Sequence, residues 1–282
     1  MAMKKILTDL HSHTTFSYDA SGEMEEMLAT ARALGIQYYG VSEHFDFDAQ
    51  VNGIDLPRLN PPQPHEFYFQ TARRFQKEYE GVMRVLVGAE FGYTDNPEAL
   101  AMYQAFVEKY QPDFVIQSIH TIPSGDYAFQ NVYVDAQGKV RDQREVYEEY
   151  LGLIRRSLDV AFDFDIVGHI GYCTRYAPYE DRRLRWCDYA KQLDDILQTI
   201  IAKGKILEVN SSNKGGVSLS LPDRDIVERY YELGGRNISF GSDAHFPSRI
   251  MENREKVMDF LRAVGFEYLT IPCRKEHIQV EI

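Results

Sequence analysis

Thr8-Asp9-Leu10-His11-Ser12-His13-Thr14-Thr15-Phe16-Ser17-Tyr18-Asp19 reads as a short opening strand and the turn that follows it. Side chains alternate across a strand, so His11 and His13 leave the backbone on one side, where two imidazoles can grip a single cation. Asp19, just beyond, can reach the same basin from the loop. A His-x-His pair also arises by chance, and a surface strand with two incidental histidines would look the same. The decision rests on whether further ligands stand at the ends of later strands.

The chain has 282 residues, 44% of them hydrophobic, enough to bury a large core. Barrels of alternating strands and helices commonly form one domain at this size, so residues 1–282 are expected to be a single domain. A formal charge of −12 argues against a bare electrostatic grip on DNA, RNA or an anionic membrane. Cys173, Cys187 and Cys273 are too few, too scattered and odd in number for a disulfide framework or a cysteine-based zinc site, which fits a reducing, cytoplasmic setting. Met-Ala-Met-Lys-Lys runs straight into a strand, and no apolar run is long enough to cross a bilayer, so a soluble, unprocessed protein is expected.

From the first strand onward, helical and strand patterns alternate. Met24, Met27, Leu28, Ala31 and Leu34 recur at helical spacing and stop before Gly35, and the two methionines read as packing. Ile36–Val41 reads as a strand ending in Ser42-Glu43-His44, and about 45–64 as a long loop rich in Asp, Asn and Pro. His65 starts a helix and is not expected to be a ligand. Val82–Ala89 delivers Glu90 between Gly88 and Gly92, small residues that would let a ligand or metal approach. Asp113–Ile119 delivers His120, a loop with a small hairpin spans 122–140, and Ile166-Val167-Gly168 delivers His169. Arg175, Tyr176, Tyr179, Arg182, Arg183 and Arg185 make a basic stretch that suits an anion-binding loop or an exposed interface equally. Arg175, nearest His169, is its best phosphate candidate. Ile206–Val209 leads to Asn210 and Lys214, and Ile238–Gly241 to Asp243 and His245, which repeat the i, i+2 device of the first strand. His277, in a charged tail, is discounted.

Strand–helix alternation argues for a parallel sheet. With no glycine-rich dinucleotide loop after the first strand, a closed barrel is favoured over an open sheet. Chemistry in such barrels gathers at the C-terminal ends of the strands. Six of the eight histidines fall there, with Glu90 and Asp243. Incidental histidines would not segregate in this way.

The set His11-x-His13 with Asp19, Glu43-His44, Gly-Ala-Glu90, Ser-Ile-His120, Gly-His169 and Gly-Ser-Asp243-Ala-His245 resembles the PHP family, named for polymerase and histidinol phosphatase. The resemblance runs from the first strand to the last barrel strand. It implies a distorted (β/α)7 TIM-like barrel with three metals in its mouth. The implied ligands are His11, His13, Glu90 and Asp243 for one metal, Glu90 with His120 and His169 for a second, and Asp19, His44 and His245 for a third. Within the family, an uninterrupted barrel of this length resembles the histidinol-phosphate phosphatases of histidine synthesis. L-histidinol phosphate is thus the implied substrate, contacted by Arg175, Lys214 and His44. Where these enzymes would be expected to offer an arginine after Glu208-Val209-Asn210, this chain offers Lys214, a point charge without the bidentate fork.

Oxygen and imidazole donors without thiolate suit three divalent ions of zinc, manganese or iron. A hydroxide shared by the two metals on Glu90 would be the nucleophile, since a metal lowers the pKa of its water from about 15.7 to about 7. Asp243 or His245, or a water between them, would supply the proton to the leaving alcohol. Three such ions halve the formal charge of −12, which reconciles an acidic protein with an anionic small-molecule substrate. The runner-up activity is a phosphoesterase of the same family acting on nucleotides or nucleic-acid ends. An amidohydrolase-type hydrolase stands further off, because that family commonly places a lysine at the fourth strand end, where this chain has His120. Self-association is left open.

Overall fold

The structure is a computed structural model that describes residues 6–56, 64–212, 218–273 and 277–282. Its centre is set by short, uninterrupted apolar runs. The segment Arg84–Gly92 is buried from its second residue to its last, the pattern of a strand covered on both faces. The barrel strands are β1 (Thr8–Asp9), β2 (Tyr38–Phe45), β3 (Arg84–Gly92) and β4 (Phe114–Ser118). After a small antiparallel hairpin of β5 (Thr121–Ile122) and β6 (Gly125–Asp126) come β7 (Ile166–Val167), β8 (Ile206–Asn210) and β9 (Ile238–Gly241). The seven-stranded sheet has the order β1-β2-β3-β4-β7-β8-β9, with every neighbouring pair parallel.

Between these strands run α1 (Met24–Ala33), α2 (Phe47–Val51), α3 (His65–Glu78), α4 (Pro97–Tyr110), α5 (Gln143–Ser157), α6 (Ala190–Ala202) and α7 (Arg224–Glu232), with α8 (Arg254–Val264) after β9. Closure is made just beyond β1 and β9. Leu10 N–H donates to Phe240 O at 3.0 Å, Asp243 N–H to His11 O at 2.8 Å and His13 N–H to Ala244 O at 2.8 Å. Ser12 and Ala244 form a parallel bridge. The two histidine-bearing ends of the chain are thereby sewn to each other.

Helix ends follow their sequence signals. Asp142 caps α5 by accepting from Arg144 and Glu145 N–H, and Asn96 caps α4 by accepting from Glu98 N–H, with Pro97 in the first turn. Met24 and Met27 are buried in the core with Leu28 and Ala31, as their spacing predicts.

Several boundaries differ from the sequence reading. β2 does not stop at Val41 but continues through His44 to Phe45, because β3 pairs with it residue for residue to Phe91. The expected loop from 45 contains α2, anchored where buried Asp48 accepts from Tyr103 O–H at 3.1 Å and from Thr121 Oγ1. α6 begins at Ala190, just after a 3-10 turn over Trp186–Asp188. α8 begins at Arg254, a few residues after a 3-10 turn over Pro247–Arg249. Tyr268–Ile271 (β10) pairs antiparallel with Ile278–Glu281 (β11). Gly88 and Gly92 do not make room for a ligand. A Cβ at Gly88 would meet the Phe114 ring, and one at Gly92 the Asp48 carboxylate, so both glycines serve packing.

Candidate metal centre

The C-terminal rim of the barrel gathers His11, His13, His44, Glu90, His120, His169, Asp243 and His245, with Asp19 reaching in from the loop after β1. Each of these except Asp19 belongs to at least one of four overlapping His/acid triads whose ligand atoms lie within 4.8 Å of one another. His11 Nε2 is 3.1 Å from His13 Nε2 and 3.2 Å from Glu90 Oε2. His13 Nε2 lies 3.4 Å from both Glu90 Oε2 and Asp243 Oδ1. On the other side of Glu90, Oε1 is 2.8 Å from His169 Nε2 and 3.3 Å from His120 Nε2, and those two nitrogens are 3.4 Å apart. At the mouth, Asp19 Oδ2 is 2.9 Å from His245 Nε2 and Asp19 Oδ1 is 3.7 Å from His44 Nε2.

These separations carry chemical information. Four donors bound tetrahedrally to one ion at about 2.0–2.1 Å stand about 3.3 Å apart along each edge. Most distances around Glu90 fall close to that value. Glu90 Oε2 is buried with no hydrogen-bond donor, yet three imidazoles converge on it, His44 through Nδ1 at 3.2 Å. A shared cation satisfies such an oxygen, whereas hydrogen bonding alone leaves it orphaned. The residues present therefore fit divalent ions.

The electrostatics agree. Burial alone would raise the Glu90 and Asp243 carboxyls, but His11 and its neighbouring imidazoles hold both well below the usual carboxylate range, Arg175 adding to the effect at Asp243. Burial alone would depress His11, but Glu208, Glu90 and Asp243 raise it well above an ordinary imidazole. His120 is likewise raised, by Glu90 and Asp46 against its burial. Burial, with His44 and His245 beside it, pushes His13 down to about 3. Without cations the cluster thus concentrates protons on some imidazoles and expels them from others.

The strand-alternation reading of His11 and His13 matches the geometry, both Nε2 atoms meeting at 3.1 Å. The same reading of Asp243 and His245 does not. Asp243 has φ +52°, so the chain leaves the extended conformation after β9. Asp243 then turns toward His11 and His13, while His245 turns to Asp19 with its Nδ1 2.9 Å from Asp243 O. Of the basic stretch, Arg175 alone lines the cavity among the described residues. Arg183 pairs with Asp223 and Arg185 with Asp181. Lys214 lies outside the described residues. His65 packs among Phe45, Phe47 and Phe106, and His277 lies near Gly204, both away from the cavity.

Some residues with clear structural roles were not singled out by the sequence. Glu208, buried in β8, accepts from His11 Nδ1 at 2.6 Å through Oε1 and from His169 N–H at 2.7 Å through Oε2, fixing which nitrogen of His11 faces Glu90. A carboxylate inside the wholly buried run Ile206–Asn210 was the available signal. Glu43 points away from His44, on the opposite side of β2. It accepts from Thr14 N–H, Thr14 Oγ1 and Ser17 Oγ, and burial pushes its carboxyl up to about 7. Ser17 Oγ also accepts from His44 N–H at 3.0 Å, so this knot ties the loop carrying Asp19 to β2. Asp46 stands 3.6 Å from His120 Nδ1. Tyr18, Asp126 and Tyr172 complete the cavity wall.

Comparison with known proteins follows the same lines. The family model described as "PHP domain" matches residues 9–212. A probable histidinol-phosphatase of Clostridium acetobutylicum is 32% identical over 270 residues, covering 92% of this chain and 96% of that one. A histidinol-phosphatase of Lactococcus lactis is 29% identical, covering 95% and 94%. Among solved structures, the histidinol phosphate phosphatase of Lactococcus lactis in complex with zinc, L-histidinol and phosphate superposes with a TM-score of 0.82 at 22% identity, covering 98% of this chain and all of that one. That last likeness bears on the fold.

Proposed function

The chain belongs to the PHP family, and on that premise we propose that it is a metal-dependent phosphomonoesterase that hydrolyses L-histidinol phosphate to L-histidinol and inorganic phosphate. The observation that carries the reading is the set of buried imidazole and carboxylate donors at tetrahedral-edge spacing around Glu90, with the guanidinium of Arg175 beside it. We assign His11, His13, Glu90 and Asp243 to one divalent ion, Glu90, His120 and His169 to a second, and Asp19, His44 and His245 to a third, with zinc, manganese or iron suited to the donor set. Ions held there supply Lewis acidity and lower the pKa of a coordinated water toward about 7.

The protein's own groups bind and orient the ester. Arg175 is buried, its Nη2 donating to Asn210 Oδ1 at 3.2 Å and Asp243 Oδ2 at 3.1 Å, while its Nε has no partner. That N–H is available to a phosphate oxygen and fixes the ester's direction. Glu90, ionised and pinned by Ser118 Oγ at 2.6 Å, holds both histidine pairs in register. Asp243 and His245 stand at the same rim, where either, or a water between them, can pass the attacking water's proton to the departing alkoxide as the ester P–O bond breaks. Tyr18 lies over His44, with ring centroids 5.5 Å apart, and helps to shield the rim from bulk water. The low cysteine count suits a cytoplasmic setting, and we read residues 1–282 as one catalytic domain.

The test is phosphate release by metal-loaded protein whose metal content is measured on the same sample. L-histidinol phosphate, nucleoside monophosphates and short oligonucleotides are compared at equal concentration. Preferential release from L-histidinol phosphate is expected. Faster release from the nucleotides or oligonucleotide ends would overturn the substrate, and retained metal with no release from any of them would overturn the activity.

A further inference from the structure

Ser17 stands where three neighbours meet, and its single hydroxyl proton can go to only one of them. Its Oγ lies 2.6 Å from Glu43 Oε2, 3.0 Å from the backbone nitrogen of His44 and 3.3 Å from His13 Nδ1. Ser17, Glu43 and His13 are all buried, so these contacts have to be satisfied within the protein. The N–H of His44 can only donate, which takes one lone pair of Oγ. Glu43 faces donors, accepting also from Thr14 N–H at 3.0 Å and Thr14 Oγ1 at 2.7 Å, and two oxygens 2.6 Å apart need a proton between them. The Ser17 proton therefore goes to Glu43. What remains for His13 is the second lone pair of Oγ, so Nδ1 carries the hydrogen and Nε2 is left bare. That bare nitrogen is the one 3.4 Å from both Glu90 Oε2 and Asp243 Oδ1.

The same hydroxyl anchors a second part of the centre. Asp19 follows Ser17 by two residues, and with 35% of its side chain exposed it is far less enclosed than His44 or His245, its partners at the mouth. Its place depends on the ties of the loop that carries it. Beyond Thr14, the hydrogen bonds from this loop to β2 both run through Ser17 Oγ among the described residues. His120 and His169 have other supports. Tyr127 N–H donates to His120 O at 2.9 Å, and Glu208 accepts from His169 N–H at 2.7 Å. Glu208 also orients His11, but it reaches no part of the Asp19 loop.

We propose that Ser17 is a positioning residue that links two of the three cation sites. It fixes His13 for the ion shared with His11, Glu90 and Asp243, and holds Asp19 to the ion on His44 and His245, while the ion on His120 and His169 is held independently of it. This rests on the metal assignment above and adds a coupling between its members. Drawing Asp19 inward seats Ser17 on Glu43, and a seated Ser17 presents Nε2 of His13, so occupation of either site favours occupation of the other.

The experiment counts zinc per chain across a series of chelator-buffered free zinc concentrations, for the parent and for Ser17→Ala. Two of the parent's three ions are expected to bind together in one steep step. In Ser17→Ala those two should bind about 10- to 100-fold more weakly and no longer together, as on loss of an outer partner of a metal ligand, with the third within about threefold of the parent. Independent filling in the parent, or equal weakening of all three ions or of none, overturns the link. A second measurement needs no variant. In the chelated parent, long-range proton–nitrogen spectra of the His13 ring should show hydrogen on Nδ1, and hydrogen on Nε2 overturns the proposal whether or not Ser17→Ala folds. A parent that takes up fewer than three ions removes the metal assignment and this proposal with it. Phosphate release from L-histidinol phosphate is followed on the same zinc-loaded parent, and three bound ions without release remove the phosphatase reading alone.

Discussion

Replacing Glu208 by Gln tests whether the metal centre depends on a carboxylate that touches no proposed ion. The two oxygens of Glu208 accept from His11 Nδ1 at 2.6 Å, from His169 N–H at 2.7 Å and from Asn210 Nδ2 at 3.3 Å. Glutamine keeps the shape but offers one oxygen and one amino group. If its oxygen stays on His169 N–H, its amino group faces the Nδ1–H of His11, donor against donor. His11 relieves this by moving its proton to Nε2, the nitrogen 3.2 Å from Glu90 Oε2, and so stops being a ligand. If the amide turns over, His169 N–H is orphaned instead. The first outcome removes a ligand from the ion, and the second leaves a buried donor unsatisfied, at a cost of about 1–3 kcal/mol. That corresponds to roughly 5- to 150-fold in an equilibrium constant, and brackets the 10- to 100-fold typical of losing an outer partner of a metal ligand. Glu208→Gln is therefore expected to bind its tightest ion about 10- to 100-fold more weakly in competition with a calibrated chelator. Saturating metal should restore much of kcat. An affinity within threefold of the parent in a folded variant would refute the claim that Glu208 sets the His11 tautomer.

Arg175→Lys keeps a charge but loses the Nη2 donor shared by Asn210 and Asp243 and the unpartnered Nε–H beside it, so KM for the phosphoester and the inhibition constant of inorganic phosphate should both rise about 10-fold or more with metal content unchanged. Steady-state kinetics with phosphate as inhibitor check this, and unchanged phosphate inhibition would refute it. His11 and His120 are raised above their ordinary value in the metal-free protein, so their stabilising protonation is complete below pH about 6.5 and is lost as pH climbs through the elevated folded-state values. Chelated protein should accordingly melt at lower temperature at pH 9 than at pH 7. Cation uptake at pH 7 should release protons, seen by calorimetry as a binding enthalpy that changes with the ionisation enthalpy of the buffer. A buffer-independent enthalpy would contradict the raised imidazoles. Gly88→Ala drives a methyl into the Phe114 ring and should cost about 1–3 kcal/mol in chemical denaturation, which a neutral result would disprove.

Much of the architecture was legible because strand alternation and histidine placement repeat at the pitch of a barrel. The chain could write His11, His13, His44, Glu90, His120 and His169 into strand ends, since a parallel strand's C-terminal residue falls on the same rim whatever its neighbours do. Local pattern alone determined the barrel, the rim and the kind of donor found there. It was silent on direction. The left-handed turn at Asp243 sends that carboxylate to one cluster and His245 to another, although their spacing copies His11-x-His13. Glycines flanking Glu90 looked like room for a ligand and proved to be room for Phe114 and Asp48, because only packing says what fills the space beside a missing Cβ. Glu208 and Glu43 gained their roles from partners up to 197 positions away in the chain. Hydrogen bonds and buried charge depend on what the closed barrel brings to within about 3 Å, and sequence proximity carries no record of that.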